Sequence, residues 1–235
     1  MAAEHPYIPE DLKLPHYRPN DKGVVELLSV FFGVVGVFIV LTWVYSGTTK
    51  NPRFTFTQRL VLCWFVLCGL IHTFLEGYFG VFHDVLAGDM SFLGQLWKEY
   101  SMGDSRYMSS DAFVVSMERI TAFVDGPLSF VTVLLYFRNS PYRYIIQLVV
   151  SLCQLYGDTL YFMTEIFEGF SHGYMFHPQY FWFYFVTMNM FWIVIPLCLI
   201  CQSCYKLAKS QAQVDKLKAS EYKAAMARHD KKKKR

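Results

Sequence analysis

Charge is scarce in this sequence. Charged residues make up 17% of its 235 residues, against roughly 25% in an average soluble domain. There is no phosphate-binding glycine loop, no GxSxG and no HExxH, so nucleotide hydrolysis, serine-hydrolase chemistry and a zincin site have no support. The first 24 residues lack an apolar h-region, so no secretory signal peptide is visible. No internal repeat is present, which removes the pattern common in secondary transporters. Of the six cysteines, Cys201 and Cys204 have CxxC spacing but no second ligand pair, which argues against zinc and against a disulfide framework.

Apolar residues are abundant, at 54%, and they come in long blocks. Five blocks approach or exceed the roughly 20 residues that a spanning helix needs: about 26–46, 60–82, 112–137, 144–166 and 180–202. The pattern predicts an all-α integral membrane protein with five transmembrane helices over 25–205. Residues 1–24 hold four of the nine prolines, so they are expected to form an extended arm on the membrane surface or a neighbouring loop.

The net charge of +3 conceals an asymmetry: residues 206–235 carry +8 and everything before them −5. A basic tail directly after a span reads as a cytosolic flank, and no aromatic or glycine pattern accompanies it to suggest nucleic acid. With the tail in the cytosol, that side collects 16 Lys and Arg residues and the other side 5. This positive-inside bias predicts a lumenal N-terminus. The terminal KKKR resembles a dilysine retrieval signal of the endoplasmic reticulum.

Polar groups inside spans are costly and mark function by default. Here they are His72 and Glu76 in the second span; Glu118, Arg119 and Asp125 in the third; Asp158 in the fourth; and Asn189 in the fifth. At about 1.5 Å per residue, His72, Glu76, Glu118, Asp158 and Asn189 lie about 9 to 15 Å from one membrane face, so a shared cavity is expected. His72 and Glu76 share a helix face, as do Glu118, Thr121 and Asp125. Pro127 is expected to kink the third span, with Asp125 managing the backbone there. Asp158 is expected to bond a neighbouring tyrosine such as Tyr156 or Tyr161. Arg119 lies about 100° round the helix from Glu118, facing another partner or keeping Glu118 ionised.

The segments HTFLEGYF (72–79), QLWKEYSMGDSRY (95–107), VSMERITAFVDGP (115–127), QLVVSLCQLYGDTLYF (147–162) and FWFYFVTMNMFW (181–192) resemble the emopamil-binding protein family, the sterol Δ8–Δ7 isomerases. The resemblance runs from HPYIP near the start to about Pro196. It implies a five-helix protein of the endoplasmic reticulum, usually a homodimer, with no cofactor. Its spans would enclose a cavity that takes sterols from the bilayer and binds cationic amphiphilic drugs. By motif it carries over His72 and Glu76, Glu118 and Thr121, and Asn189 and Trp192. In the implied reaction either Glu76 or Glu118 can keep a proton and act as the acid; the preferred assignment makes His72 and Glu76 the protonating pair and Glu118 the cation stabiliser and base. Trp192 adds a cation–π face, and Thr121 and Asn189 position Glu118. Asp125 departs from the isomerase pattern toward a related branch not known to isomerise sterols, and Arg119 replaces a smaller residue. The alternative reading is a non-catalytic sterol or amphiphilic-amine binding protein.

Overall fold

The computed structural model describes residues 5–233. Among the described residues there is helix and irregular chain but no strand, and five helices are long and apolar enough to cross a membrane. The elements are α1 (Val24–Thr48), α2 (Phe56–Phe82), the short α3 (Phe92–Tyr100), α4 (Ala112–Phe137), α5 (Arg143–Phe167) and α6. The last opens as a π-helical segment, Pro178–Met188, and continues as an α-helix over Asn189–Lys233. The change to basic composition at residue 206 therefore changes the helix surface without ending the helix.

Helix starts are set by side chains that satisfy orphan amides. Thr55 and Gln58 form a reciprocal capping box at the head of α2. Asp111 accepts from the amides of Phe113 and Val114 at the head of α4, at 2.9 and 3.0 Å. His177 does the same for Gln179 and Tyr180 at the head of α6. The apolar surface of α1 runs all round, and only 6% of its apolar window is buried, against 44% for α2. Thus α2 is central and α1 lies at the edge, facing what would be lipid.

Two spans change winding at mid-length. Ile71–Glu76 of α2 and Thr121–Asp125 of α4 are π-helical, and they pack against each other. The disturbance expected at Pro127 takes this form. The proline, lacking an amide hydrogen, sits in the first turn of the α-helical stretch Gly126–Phe137 that follows. A Cβ at Gly126 would lie 2.9 Å from the Thr73 amide nitrogen, so glycine is what lets the two π segments approach. Along α2, Val61 to Cys68 belong to one buried apolar cluster and Phe79 to a second, leaving His72 and Glu76 between them.

Residues 83–111, including α3, cap one end of the bundle. Gln95, Lys98, Asp104 and Arg106 are all buried there, each satisfied by named partners. Arg106 makes a forked contact with Asp104 (Nη2 to Oδ2 2.6 Å, Nε to Oδ1 3.0 Å) and reaches Thr164 on α5 at 2.8 Å. Glu165 adds a second carboxylate at 3.4 Å. The N-terminal arm lies across this cap. Lys98 Nζ donates to the Arg18 carbonyl at 2.8 Å, and the Gln95 side-chain Oε1 accepts from the amides of Asp21 and Lys22. Burial pushes the Lys98 ammonium below its usual range, with the nearby Asp89 carboxylate opposing the shift. Tyr7 donates to the Lys98 carbonyl, and Ser105 to that of Ile8.

Removing one partner of a buried ion pair leaves an uncompensated charge, at a cost of about 3–5 kcal/mol. Arg106→Ala is therefore expected to lower the thermal midpoint of the detergent-solubilised protein by several degrees or abolish insertion. An unchanged midpoint would show that the fork contributes nothing.

Candidate active site

The cavity lies at the level of the π segments, between the two apolar clusters. It holds about 1120 Å³ of space not occupied by atoms, including its open mouth. Its wall is mostly apolar and aromatic; Leu28, Phe31 and Phe32 of α1 form one side. His72, Glu76, Glu118, Thr121, Asn189 and Trp192 all line this one cavity, as does Asp158.

The network centres on Glu76. Its Oε2 accepts from His72 Nδ1 at 2.7 Å and from the Thr121 hydroxyl at 2.6 Å. On the other side of the ring, His72 Nε2 lies 3.2 Å from Trp192 Nε1 and 3.0 Å from Gln154 Nε2. An indole nitrogen can only donate, so Nε2 is the acceptor and the hydrogen network assigns the imidazole proton to Nδ1, facing Glu76. His72 and Glu76 are four residues apart and share one helix face, so their contact forms within about one turn of the segment Ile71–Glu76. The His72 and Thr121 contacts both fall on Oε2.

Glu118 adjoins Glu76 and has a partner of its own. Tyr107 donates to its Oε1 at 2.7 Å, while Thr121 Oγ1 lies 3.3 Å from its Oε2 and 3.0 Å from its backbone carbonyl. One threonine hydroxyl therefore touches both carboxyls. It has a single hydrogen, and the shortest contact gives that hydrogen to Glu76. Glu118 is 5% exposed and His72 2%, so both work away from bulk water.

This geometry corrects two expectations, for Asn189 and Asp158, and decides those for Arg119 and Asp125. Asn189 does not position Glu118: its amide donates to the Phe185 carbonyl at 2.7 Å and to the Tyr100 hydroxyl at 3.1 Å. It instead ties off backbone where α6 passes from π to α winding. Asp158 bonds neither tyrosine, since its Oδ2 is buried without a partner and Tyr156 is 66% exposed. Arg119 turns away from Glu118, donating to the Gly80 carbonyl at 2.8 Å and meeting His83 at 3.2 Å. Asp125 ends the π segment of α4, buried and outside the cavity wall, with Oδ1 unpartnered.

Sequence reasoning missed Tyr107 and Gln154. Tyr107 lies outside the spans, in the short 3₁₀ turn Ser105–Tyr107, and its place in the GDSRY segment was the available signal. Gln154 is uncharged, but it sits four residues before Asp158, on the same face of α5.

A family model described as EBP: EXPERA (EXPanded EBP superfamily) matches residues 92–203. The 3-beta-hydroxysteroid-Delta(8),Delta(7)-isomerase of Rattus norvegicus is 47% identical over 215 residues, covering 92% of this chain and 94% of the relative. The chain belongs to the EBP family. The guinea-pig isomerase (Cavia porcellus) is 44% identical, over 90% of this chain and 92% of its own length. A protein of Melia azedarach named isomeliandiol synthase MOI2 is 37% identical over 72% of this chain and 78% of its own. In family terms, the matched residues 92–203 hold Glu118, Thr121, Asn189 and Trp192, while His72 and Glu76 lie upstream.

Proposed function

We propose that this protein is a sterol Δ8–Δ7 isomerase that moves the ring-B double bond by adding one proton and removing another. Relatives named for this isomerisation of 3β-hydroxysteroids align with more than nine-tenths of their length at 44–47% identity. The observation that carries the reading to this chain is the pair of carboxyls, Glu76 and Glu118, joined through the Thr121 hydroxyl on an otherwise apolar wall. Such a site can supply and accept a proton in a compartment without water, where a carbocation survives between the two steps.

The roles follow from the partners that each carboxyl has. Glu76 receives the hydrogen bonds of His72 and Thr121 at Oε2, and in its acid form Oε1 carries the proton and delivers it to C9. The electron pair of the C8=C9 bond takes up that proton, leaving a tertiary cation at C8. His72 and Thr121 already donate to Glu76 and stabilise the carboxylate it becomes. Glu118, steadied by Tyr107, is the counter-charge for the cation. It then takes the proton from C7, whose C–H electron pair becomes the new C7=C8 bond. Trp192, fixed through its N–H to His72, adds an aromatic face worth up to about 2 kcal/mol to a desolvated cation. The test is expression in isomerase-deficient yeast with sterol profiling. Loss of the accumulated Δ8 sterols supports catalysis. Their persistence, with sterol or amine binding retained, would make this a binding protein.

The same reading takes the endoplasmic reticulum membrane, as the family resemblance implies, with the N-terminus lumenal, an orientation supported by the 16-to-5 charge bias. A glycosylation acceptor inserted in residues 83–111 should then be modified, and one placed after Lys209 should not. The reverse pattern would overturn the orientation.

A further inference from the structure

The CxxC of residues 201–204 takes no part in the site above. Cys198, Cys201 and Cys204 of α6 are free and exposed, whereas Cys63 and Cys68 are buried. The thiols continue the exposed row that Val194 and Leu197 begin, while Leu199 and Ser203 are buried. Contact with α5 fixes their depth. Ser203 Oγ lies 2.9 Å from Gln147 Nε2, and α5 begins one turn before Gln147, at Arg143. The first charge after Ser203 on α6 is Lys206. Cys204 therefore sits within about one turn of the first charges on both helices. Tyr45, Tyr142 and Tyr205 are all exposed at this end of the bundle, as amphipathic rings are at a membrane–water interface. Cys201 is one turn deeper, by about 4.5 Å, and Cys198 deeper by about 9 Å.

We propose that Cys204, with Cys201 as a second acceptor, is a site of S-acylation by a long-chain acyl-CoA. Exposed thiols beside a membrane face are the acceptors such chemistry needs. The donor's acyl chain lies among lipid tails and its phosphorylated head stays in water, so its thioester is held at the interface, level with Cys204. The +8 tail that begins at Lys206 draws the anionic head to the same place. In the transfer the Cys204 thiolate attacks the thioester carbonyl carbon and a new carbon–sulfur bond forms. The bond to coenzyme A breaks, and the coenzyme A thiolate leaves with the proton that the cysteine gave up. Cys198, too deep to meet the thioester, remains a small lipid-facing side chain. The site rests on the cytosolic tail of the reading above, since acyl-CoA and reduced thiols belong to that side.

The test uses the full-length protein in eukaryotic cells fed an alkyne-bearing palmitate. In parallel, thiols freed by hydroxylamine are coupled to a mass-tagged maleimide, which adds one gel step for each acylated cysteine. One step from Cys204 is expected, with a weaker second step from Cys201. The Cys201→Ser/Cys204→Ser double variant should lose both the label and the steps while keeping the wild-type thermal midpoint. Cys198→Ser should lose neither. If the double variant fails to insert, mass spectrometry of the wild-type peptide spanning residues 197–206 locates the acyl group instead. Wild-type protein without hydroxylamine-sensitive label overturns the site. So does label that persists in the double variant or depends on Cys198. The glycosylation acceptors, read in the same cells, separate the two failures. An unlabelled protein with a cytosolic tail rejects the site alone, and one with a lumenal tail rejects the orientation as well.

Discussion

Isomerase turnover is expected to fall at least about 100-fold when Glu76 or Glu118 is replaced by glutamine, in a protein that still inserts and folds. The amide keeps the size of the carboxyl and one carbonyl oxygen. At position 76 it can still accept from His72 and Thr121; at position 118 it can still accept from Tyr107. What it cannot do is give up or take on a proton in the cycle. The two variants should also differ from each other. Glu76→Gln removes the donor, so bound Δ8 sterol should remain unchanged. Glu118→Gln removes counter-charge and base together and is expected to be the more severe. The measurement is Δ8-to-Δ7 conversion in purified membranes, with thermal unfolding of each variant as the fold control. Near-normal conversion in both would reduce the carboxyls to helix–helix contacts.

Lipophilic amines should bind much more tightly than their neutral carbon isosteres. A protonated amine carries permanently the charge that the sterol carries only between the two proton transfers, and a site shaped for that state binds its mimic. In an apolar, water-poor cavity the carboxylate of Glu118 and the ring of Trp192 are the groups that recognise the charge. Glu118→Gln should weaken amine binding roughly 10- to 100-fold, the equivalent of a hydrogen bond to a charged group of about 1.5–3 kcal/mol. Trp192→Phe should cost less, since phenylalanine retains part of the aromatic face while losing the N–H bond to His72. The neutral isostere should be insensitive to Glu118→Gln. Equal affinity for amine and isostere in the wild-type protein would mean that the cavity selects bulk alone, and the carbocation mechanism would lose its main support.

The five spans were legible in the sequence because spanning a bilayer is a one-dimensional requirement: enough consecutive apolar residues to cover the hydrocarbon. Short-range pairings were legible for a similar reason. His72 and Glu76, or Glu118 and Thr121, lie within about one helical turn of each other, so helix geometry brings each pair together whatever the rest of the chain does. The shared depth of the polar groups was also within reach, since rise per residue is nearly constant.

Only the tertiary structure decided what each group meets across the cavity. Tyr107 reaches Glu118 because the Asp104–Arg106 fork ties its loop to α5, a constraint that no periodicity in the sequence expresses. Trp192 and Gln154 converge on His72 from chain positions 120 and 82 residues away. They meet it through helix rotation, and the π segments alter that rotation by adding to the turn just where the site is built. The same rotation takes Asn189 to its own backbone, turns Arg119 to Gly80 and His83, and leaves Asp158 facing the cavity without a partner. Hydropathy determines which segments enter the membrane. Which polar group faces which is settled by side-chain packing between helices, and that depends on every neighbouring residue at once.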